Sequence, residues 1–485
     1  MAVAENRPSD PNDVYHDALG NIGYTKTQAE KRVKIYNTVA ENCTLFCRRY
    51  TGENIDVIIP GSRGEGTGIY SESDVDMLFV QRTVQCMDIY QNSDTGAPVL
   101  FLLEFENDES GYTMLRLISI GYTRTDKQFI RKVKDGLVQR NRRHYLRNDQ
   151  IFTAASGHHR QGFARQQFVF DDTTGPARKV VCELSYLGTL SVDRVLAFPC
   201  SCPSILNTWC KRERKHDDGW PNNDLVEKVK HLEVFVVPVG EKGSADEVLQ
   251  WRISVTLAER ALVQSFNDTQ IKLYAAMKML AKQELNPVCG NISSYVVKHL
   301  VFWMFEEECI EKFTRRNFGE CLMQLLHRFK RCVTWRYVPN YMFPSRNILK
   351  NKILEKERVE LINRLDKMMG EGIFVLRRCP LIKEEIDLPK EYFQNRVMFK
   401  ELAEQVALSM FCIPAPYFKI FMRLKIIPKS LFRLTEKQIF KVVFNYAIPL
   451  IRVLNPYGYF NHVRAMPNEE ILIRLLEGVS LYLNK

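Results

Sequence analysis

The sequence predicts an α+β protein in two parts, a mixed strand-and-helix half followed by a helical half. Three observations predict it. Short apolar runs bounded by Gly, Asn, Asp and Pro recur between Ile55 and Leu257, the pattern of strands and turns. After Ala258 the apolar residues recur at spacings of three and four, through Leu262, Phe266, Leu273, Met277 and Leu280, which is one face of a helix. At 485 residues the chain is long enough to build more than one core.

The elements follow in order. Residues 1–20 are polar and read as a flexible leader. Thr25 and Thr27 are followed three residues later by Gln28 and Glu30, a capping pattern that predicts a helix start. That helix is expected to run to about Tyr50, burying Val33, Tyr36, Ala40 and Cys43, with Gly52 ending it. Residues 55–120 alternate strand and turn signals, and the basic region 124–165 suggests a helix plus loops. Further strands are expected at Gln167–Phe170, Val180–Leu187, Leu190–Phe198, Val234–Val239 and Trp251–Leu257. Helices follow, broken near Pro287, Pro339, Pro344 and Pro380. The segment 395–485 is amphipathic and reads as an added helical piece.

Composition narrows the function classes. The first residues carry no apolar signal core, and the richest apolar stretch, Tyr295 to Phe305, is too short to span a bilayer and holds Lys298 and His299. Thirteen cysteines without regular spacing fit reduced thiols, hence a cytoplasmic or nuclear setting. The net charge of +11 is uneven, with basic clusters at 124–165, at Lys211, Arg212, Arg214 and Lys215, and from Lys312 to Arg336. Such clusters suit a polyanion. They equally suit a surface whose counter-charges the fold supplies.

The most informative segment is Gly61-Ser62 followed by Asp74-Val75-Asp76 inside an apolar run. Residues two apart on a strand share a face, so Asp74 and Asp76 present two carboxylates together. Paired hard anions invite a divalent cation, which bridges the phosphates of a nucleoside triphosphate. A Gly-Ser turn lets backbone N–H groups approach those phosphates. Asp-x-Asp is also common at exposed strand ends. A two-metal site wants a third acid, and Asp193 is the candidate, a charge embedded in the apolar run from Leu190 to Leu196. The alternative is an Asp paired with Arg194 or turned to solvent.

With these residues, five segments together resemble the cyclic GMP-AMP synthase-like receptors and their male-abnormal relatives, over roughly residues 25–350. They are Gly61-Ser62 with Asp74-Val75-Asp76; Val192-Asp193; Trp251-Arg252-Ile253-Ser254-Val255-Thr256 running on to Glu259; Ser293-Ser294-Tyr295-Val296-Val297-Lys298; and Asn340-Tyr341-Met342-Phe343-Pro344. The resemblance implies a bilobed, polymerase-beta-like nucleotidyltransferase. Its core and N-terminal spine helix would occupy 21–260, its helical lobe 261–394, and an additional segment 395–485. It implies Asp74, Asp76 and Asp193 as the catalytic metal-binding acids for Mg2+, with Mn2+ as substitute. It implies Gly61 and Ser62 as the phosphate turn, and Arg252, Lys278, Ser294 and Tyr295 as nucleotide contacts. ATP and GTP would be joined into a cyclic dinucleotide in innate immune signalling.

Between Trp251 and Cys289 there is neither His nor Cys, so no zinc thumb of the vertebrate DNA-sensor kind is expected there. Double-stranded RNA is then favoured over DNA as activator, with Lys31, Lys34, Arg142 and Arg143 as candidate contacts and a ligand-induced dimer possible for the family. The rival reading is a catalytically silent family member that binds nucleotide or a partner protein.

Overall fold

The structure is a computed structural model. It describes residues 10–48, 52–69, 74–88, 96–105, 111–121, 126–149, 168–171, 177–183, 189–216 and 219–388. The expectations for residues 1–9 and 395–485, and for Arg124, Arg160 and Arg165, fall outside them. The chain divides into two compact units, one of residues 1–30, 207–230 and 261–394, the other of 31–206, 231–260 and 395–485.

The second unit holds the sheet. Its strands are β1 (Ile55–Ile58), β2 (Val75–Gln81), β3 (Val84–Met87), β4 (Val99–Glu104), β5 (Tyr112–Ile120), β6 (Leu137–Arg140), β7 (Arg143–Leu146), β8 (Phe168–Asp171), β9 (Ala177–Glu183), β10 (Thr189–Ser201), β11 (Val234–Val237) and β12 (Gln250–Ser254). The main path runs β1-β2-β10-β11-β12-β5-β4-β3, and β3 also pairs with β10. Strand β10 is the hub: it lies parallel to β2 over Val192–Ala197, antiparallel to β9 over Thr189–Val195, and antiparallel to β11 over Phe198–Cys200. A strand covered on both sides should read as a continuous apolar run, and Val195-Leu196-Ala197-Phe198 does. Leu78, Val80, Ala197, Phe235 and Val237 form a buried cluster across β2, β10 and β11. Phe198 stacks on Trp251 with ring centroids 5.1 Å apart, and the Trp251 indole donates to the Leu146 carbonyl at 2.9 Å.

The first unit is helical. The helices of the chain, in order, are α1 (Pro11–Ile22), α2 (Lys26–Phe46), α3 (Gly61–Gly64), α4 (Lys127–Asp135), α5 (Pro203–Cys210), α6 (Asn223–Lys230), α7 (Thr256–Gln264), α8 (Asp268–Leu280), α9 (Ser294–Glu307), α10 (Phe318–Trp335), α11 (Glu355–Gly370) and α12 (Pro380–Asp387). The division between the units falls inside α2, α5 and α7. Helix α8 opens on a reciprocal cap between Asn267 and Gln270. The expected cap at Thr25 is present, with the Gln28 N–H donating to Thr25 Oγ1 at 3.2 Å and the Thr25 hydroxyl donating to Gln28 Oε1 at 2.8 Å.

Two expectations need correction. The leader expected over 1–20 is helical from Pro11. Asp10 caps it by accepting from the Asn12 N–H at 2.9 Å, Pro11 sits where its missing N–H is no loss, and Tyr15, Ala18, Leu19 and Ile22 are buried at helical spacing. The strand expected over Trp251–Leu257 stops at Ser254, because Ala258, Ala261 and Leu262 are buried on a helix that has already begun at Thr256. No helix among the described residues is long and apolar enough to cross a membrane, as expected from sequence. The described cysteines are free thiols.

Candidate active site

The parallel pairing of β2 with β10 has Asp193 directly opposite Asp76. In-register neighbours on adjacent strands share a face, so the two carboxylates stand side by side. Asp74 sits just ahead of β2 and is about half exposed. Helix α3 is the single turn Gly61–Gly64, and Gly61 has φ +63°. A Cβ there would stand 2.5 Å from Asp76 Oδ2, so glycine lets the backbone come this close without moving the carboxylate. The Ser62 carbonyl accepts from the Gly68 N–H at 2.7 Å, which ties the loop back over α3. Thus Gly61, Ser62, Asp74, Asp76 and Asp193, far apart in sequence, belong to one small part of the sheet unit.

Strand β9 adds a residue that sequence reasoning missed. Lys179 pairs in register with Asp193 on the flank away from Asp76. Its ammonium donates to Asp74 Oδ2 at 3.0 Å. Burial first, and the Asp74 charge second, raise the Asp193 carboxyl above its ordinary range, while Lys179 pulls it back. The sequence neighbour Arg194 points elsewhere, its guanidinium 4.6 Å from the centre of the Phe79 ring. The strand expected over Val180–Leu187 began one residue too late to contain Lys179, and β9 carries Arg178 and Glu183 as well, so no local signal singled the lysine out.

The donor chemistry here is carboxylate oxygen, which suits a hard divalent cation such as Mg2+. Among the described residues no three His, Cys, Asp or Glu side chains are grouped closely enough to hold a metal ion. Asp74 is engaged by Lys179.

The remaining expected residues are dispersed. Arg252 is half-buried on β12, opposite Val237 of β11 and Tyr112 of β5. Lys278, Ser294 and Tyr295 belong to the helical unit. The Lys278 ammonium lies 4.8 Å from the centre of the Tyr274 ring. Ser294 is exposed at the start of α9. The Tyr295 hydroxyl accepts from Asn340 Nδ2 at 2.9 Å, and its ring meets His299 edge-on at 4.4 Å.

Lys31 and Lys34 are exposed on α2. Arg142 and Arg143 are exposed at the tip of the β6–β7 hairpin, whose turn residues Asn141 and Arg142 both have positive φ. Arg143 also pairs with Glu104 at 3.0 Å. The other two basic clusters are largely spent on internal partners. Arg212 donates to the Tyr341 carbonyl at 2.7 Å and to Glu306 at 2.6 Å. Lys312, Arg315, Arg328, Lys330 and Arg336 pair with Glu308, Asp13 and Asp17, Glu307, Asp366 and Glu355 respectively.

An α+β chain with two facing carboxylates on parallel central strands, and a glycine turn pressed against one of them, is the class of protein in hand. Residues 269–367 match the family model described as Mab-21 protein HhH/H2TH-like domain. The chain is also 24% identical over 153 residues to "Protein mab-21-like 3" of Danio rerio, a stretch covering 30% of this chain and 37% of that relative. The match therefore spans little more than a third of the relative's length. Both findings are similarities to Mab-21 proteins over part of the chain, at low identity.

Proposed function

We propose that this chain is a metal-dependent nucleotidyltransferase that joins ATP and GTP into a cyclic dinucleotide when a nucleic acid, with double-stranded RNA favoured, is bound. The observation that carries the reading is the Asp76–Asp193 register pair with Asp74 two residues upstream and Gly61 against Asp76. Asp74, Asp76 and Asp193 would hold Mg2+, or Mn2+ in its place. When bound, the cation supplies Lewis-acid polarisation of the phosphate under attack. The backbone of Gly61 and Ser62 would cradle the triphosphate. Asp193, kept above its ordinary carboxylate range by burial, suits the task of accepting the proton of an attacking ribose hydroxyl. The expelled group is pyrophosphate, and a second turn of the same chemistry closes the ring. Arg252, Lys278, Ser294 and Tyr295 are proposed as nucleotide contacts on the resemblance alone. Exposed Lys31, Lys34, Arg142 and Arg143 would bind RNA phosphates, a contact that reads shape rather than sequence.

The test is product analysis by chromatography and mass spectrometry after incubation with ATP, GTP, Mg2+ or Mn2+, and long double-stranded RNA or DNA. A cyclic dinucleotide is expected, with Asp76→Asn reducing its formation by about a thousandfold, and charge reversal at Arg142 and Arg143 weakening the RNA dependence. No nucleotide product under any ligand, with Asp76→Asn indistinguishable from the parent, would leave the second reading standing. That reading is a catalytically silent scaffold, and the specific observation in its favour is the Lys179 ammonium on Asp74.

A further inference from the structure

We infer that Lys179 is a resident counter-cation of the acid cluster, one that competes with a divalent ion for Asp74 and has to leave before the acids are loaded. The inference rests on the nucleotidyltransferase reading and adds a control to it. Three adjacent strands set up the contact. Asp76, Asp193 and Lys179 occupy one row across β2, β10 and β9, and the lysine reaches beyond Asp193 to Asp74 at 3.0 Å. An ammonium on a carboxylate satisfies the same charge that a divalent ion would. The acids therefore need no metal to be tolerated at the end of an apolar sheet.

The pair is built to be displaced. The Lys179 and Asp74 side chains are 42% and 46% exposed, and exposed pairs of this kind are held weakly. Lysine is a point charge on a flexible stem, free to turn from a carboxylate to a neighbouring phosphate. A nucleoside triphosphate arriving with its cation brings both the competitor for Asp74 and a new anion for Lys179. Empty and loaded states then differ by an exchange of partners, with no net burial of bare charge.

The experiment uses the full chain without nucleotide and titrates it with Mn2+, following free Mn2+ by electron paramagnetic resonance. Lys179→Met is expected to bind Mn2+ about tenfold more tightly than the parent, the effect of withdrawing one positive charge beside a divalent site in partly solvated surroundings. Lys179→Gln should agree with it, and Lys179→Arg should bind as the parent does. Asp76→Asn should abolish binding in every background. In the parent itself, Mn2+ should speed acetylation of Lys179 by acetic anhydride, read by peptide mass spectrometry. Asp76-sensitive binding that is no tighter in Lys179→Met and Lys179→Gln would overturn the inference while leaving the acid site intact. Absence of any Asp76-sensitive Mn2+ binding would overturn the acid site, and this inference with it.

Discussion

The two units treat charge in opposite ways. In the sheet unit, Asp193 stands opposite Asp76 in the strand register, and the nearby Lys179 ammonium is only half-buried on Asp74. In the helical unit, Glu306 is buried and satisfied from three directions: Arg212 at 2.6 Å, the Tyr341 hydroxyl donating at 2.6 Å, and Arg214 at 3.4 Å. Burial, followed by the Glu306 charge, pushes the Tyr341 phenol well up, so it stays protonated and remains a donor. A closed network of this kind fixes a packing arrangement. An open one, with acids facing one another, costs stability and is retained where an incoming ion or substrate completes it. The comparison separates structural charge from candidate functional charge better than residue type does, since both regions contain Arg, Lys, Asp and Glu.

The largest expected effect breaks the closed side. Glu306→Gln keeps the side-chain volume but leaves Arg212 and Arg214 without their carboxylate, and breaking a buried pair of this kind costs about 3–5 kcal/mol. The midpoint of urea denaturation should fall accordingly. A loss within the few tenths expected of a surface site would show that the helical unit's charges are no more tightly held than those of the sheet. Asp76→Asn supplies the contrast: product formation collapses while the denaturation midpoint moves little.

The next effect concerns pH. His16 of α1 is buried against α8, where Lys272 Nζ lies 3.1 Å from its Nδ1 and the Thr269 hydroxyl 3.3 Å from its Nε2. Burial first, and the Lys272 charge second, lower its pKa from 6.5 to about 4, against the raising effects of Asp268 and Asp17 and a further lowering by Arg315. The folded chain therefore holds His16 neutral while the unfolded chain takes up a proton below pH 6.5. Stability is fully present above pH 6.5 and is lost as the pH falls toward 4, by up to roughly 3 kcal/mol. Urea midpoints measured between pH 7 and pH 5 should decline in the parent. They should decline less in His16→Gln, which starts lower but has no proton to gain. Equal slopes would mean that α1 is not docked through a neutral histidine.

The legibility of the sequence follows the same divide. The acids, the Gly-Ser turn and the strand-to-helix change near Ala258 were readable because local pattern and chemistry agree there: carboxylates in an apolar strand, glycine at a turn, a shift of apolar period. Helix α1 was missed because its polar composition hid four buried apolar residues at helical spacing, Tyr15, Ala18, Leu19 and Ile22. Lys179 was missed because its meaning comes only from pairing: nothing in Arg178-Lys179-Val180 announces that Asp193 lies opposite. The basic clusters from Lys211 and from Lys312 read as one surface feature, yet their partners Glu306, Asp13, Asp17 and Asp366 come from distant segments that no local window contains.

A modest change in stability most sharply tests the open side. Gly61→Ala places a Cβ 2.5 Å from Asp76 Oδ2 on a residue with φ +63°. The left-handed backbone costs roughly 1–2 kcal/mol for an L-residue. The carboxylate, being the free end of a side chain, relieves the clash by turning away. Stability should therefore fall only modestly, whereas displacing the acid proposed to act in catalysis should lower product formation by about a hundredfold. Thermal denaturation and product assay on the same sample separate the two. If Gly61→Ala loses stability as expected yet makes product at the parent's rate, then the closeness of Gly61 to Asp76 is a matter of packing, and the acids act, if they act, without the turn. If both are lost in the stated proportion, the turn and the acid form one positioned unit, and the divide between open and closed charge marks the place where the chain does its chemistry.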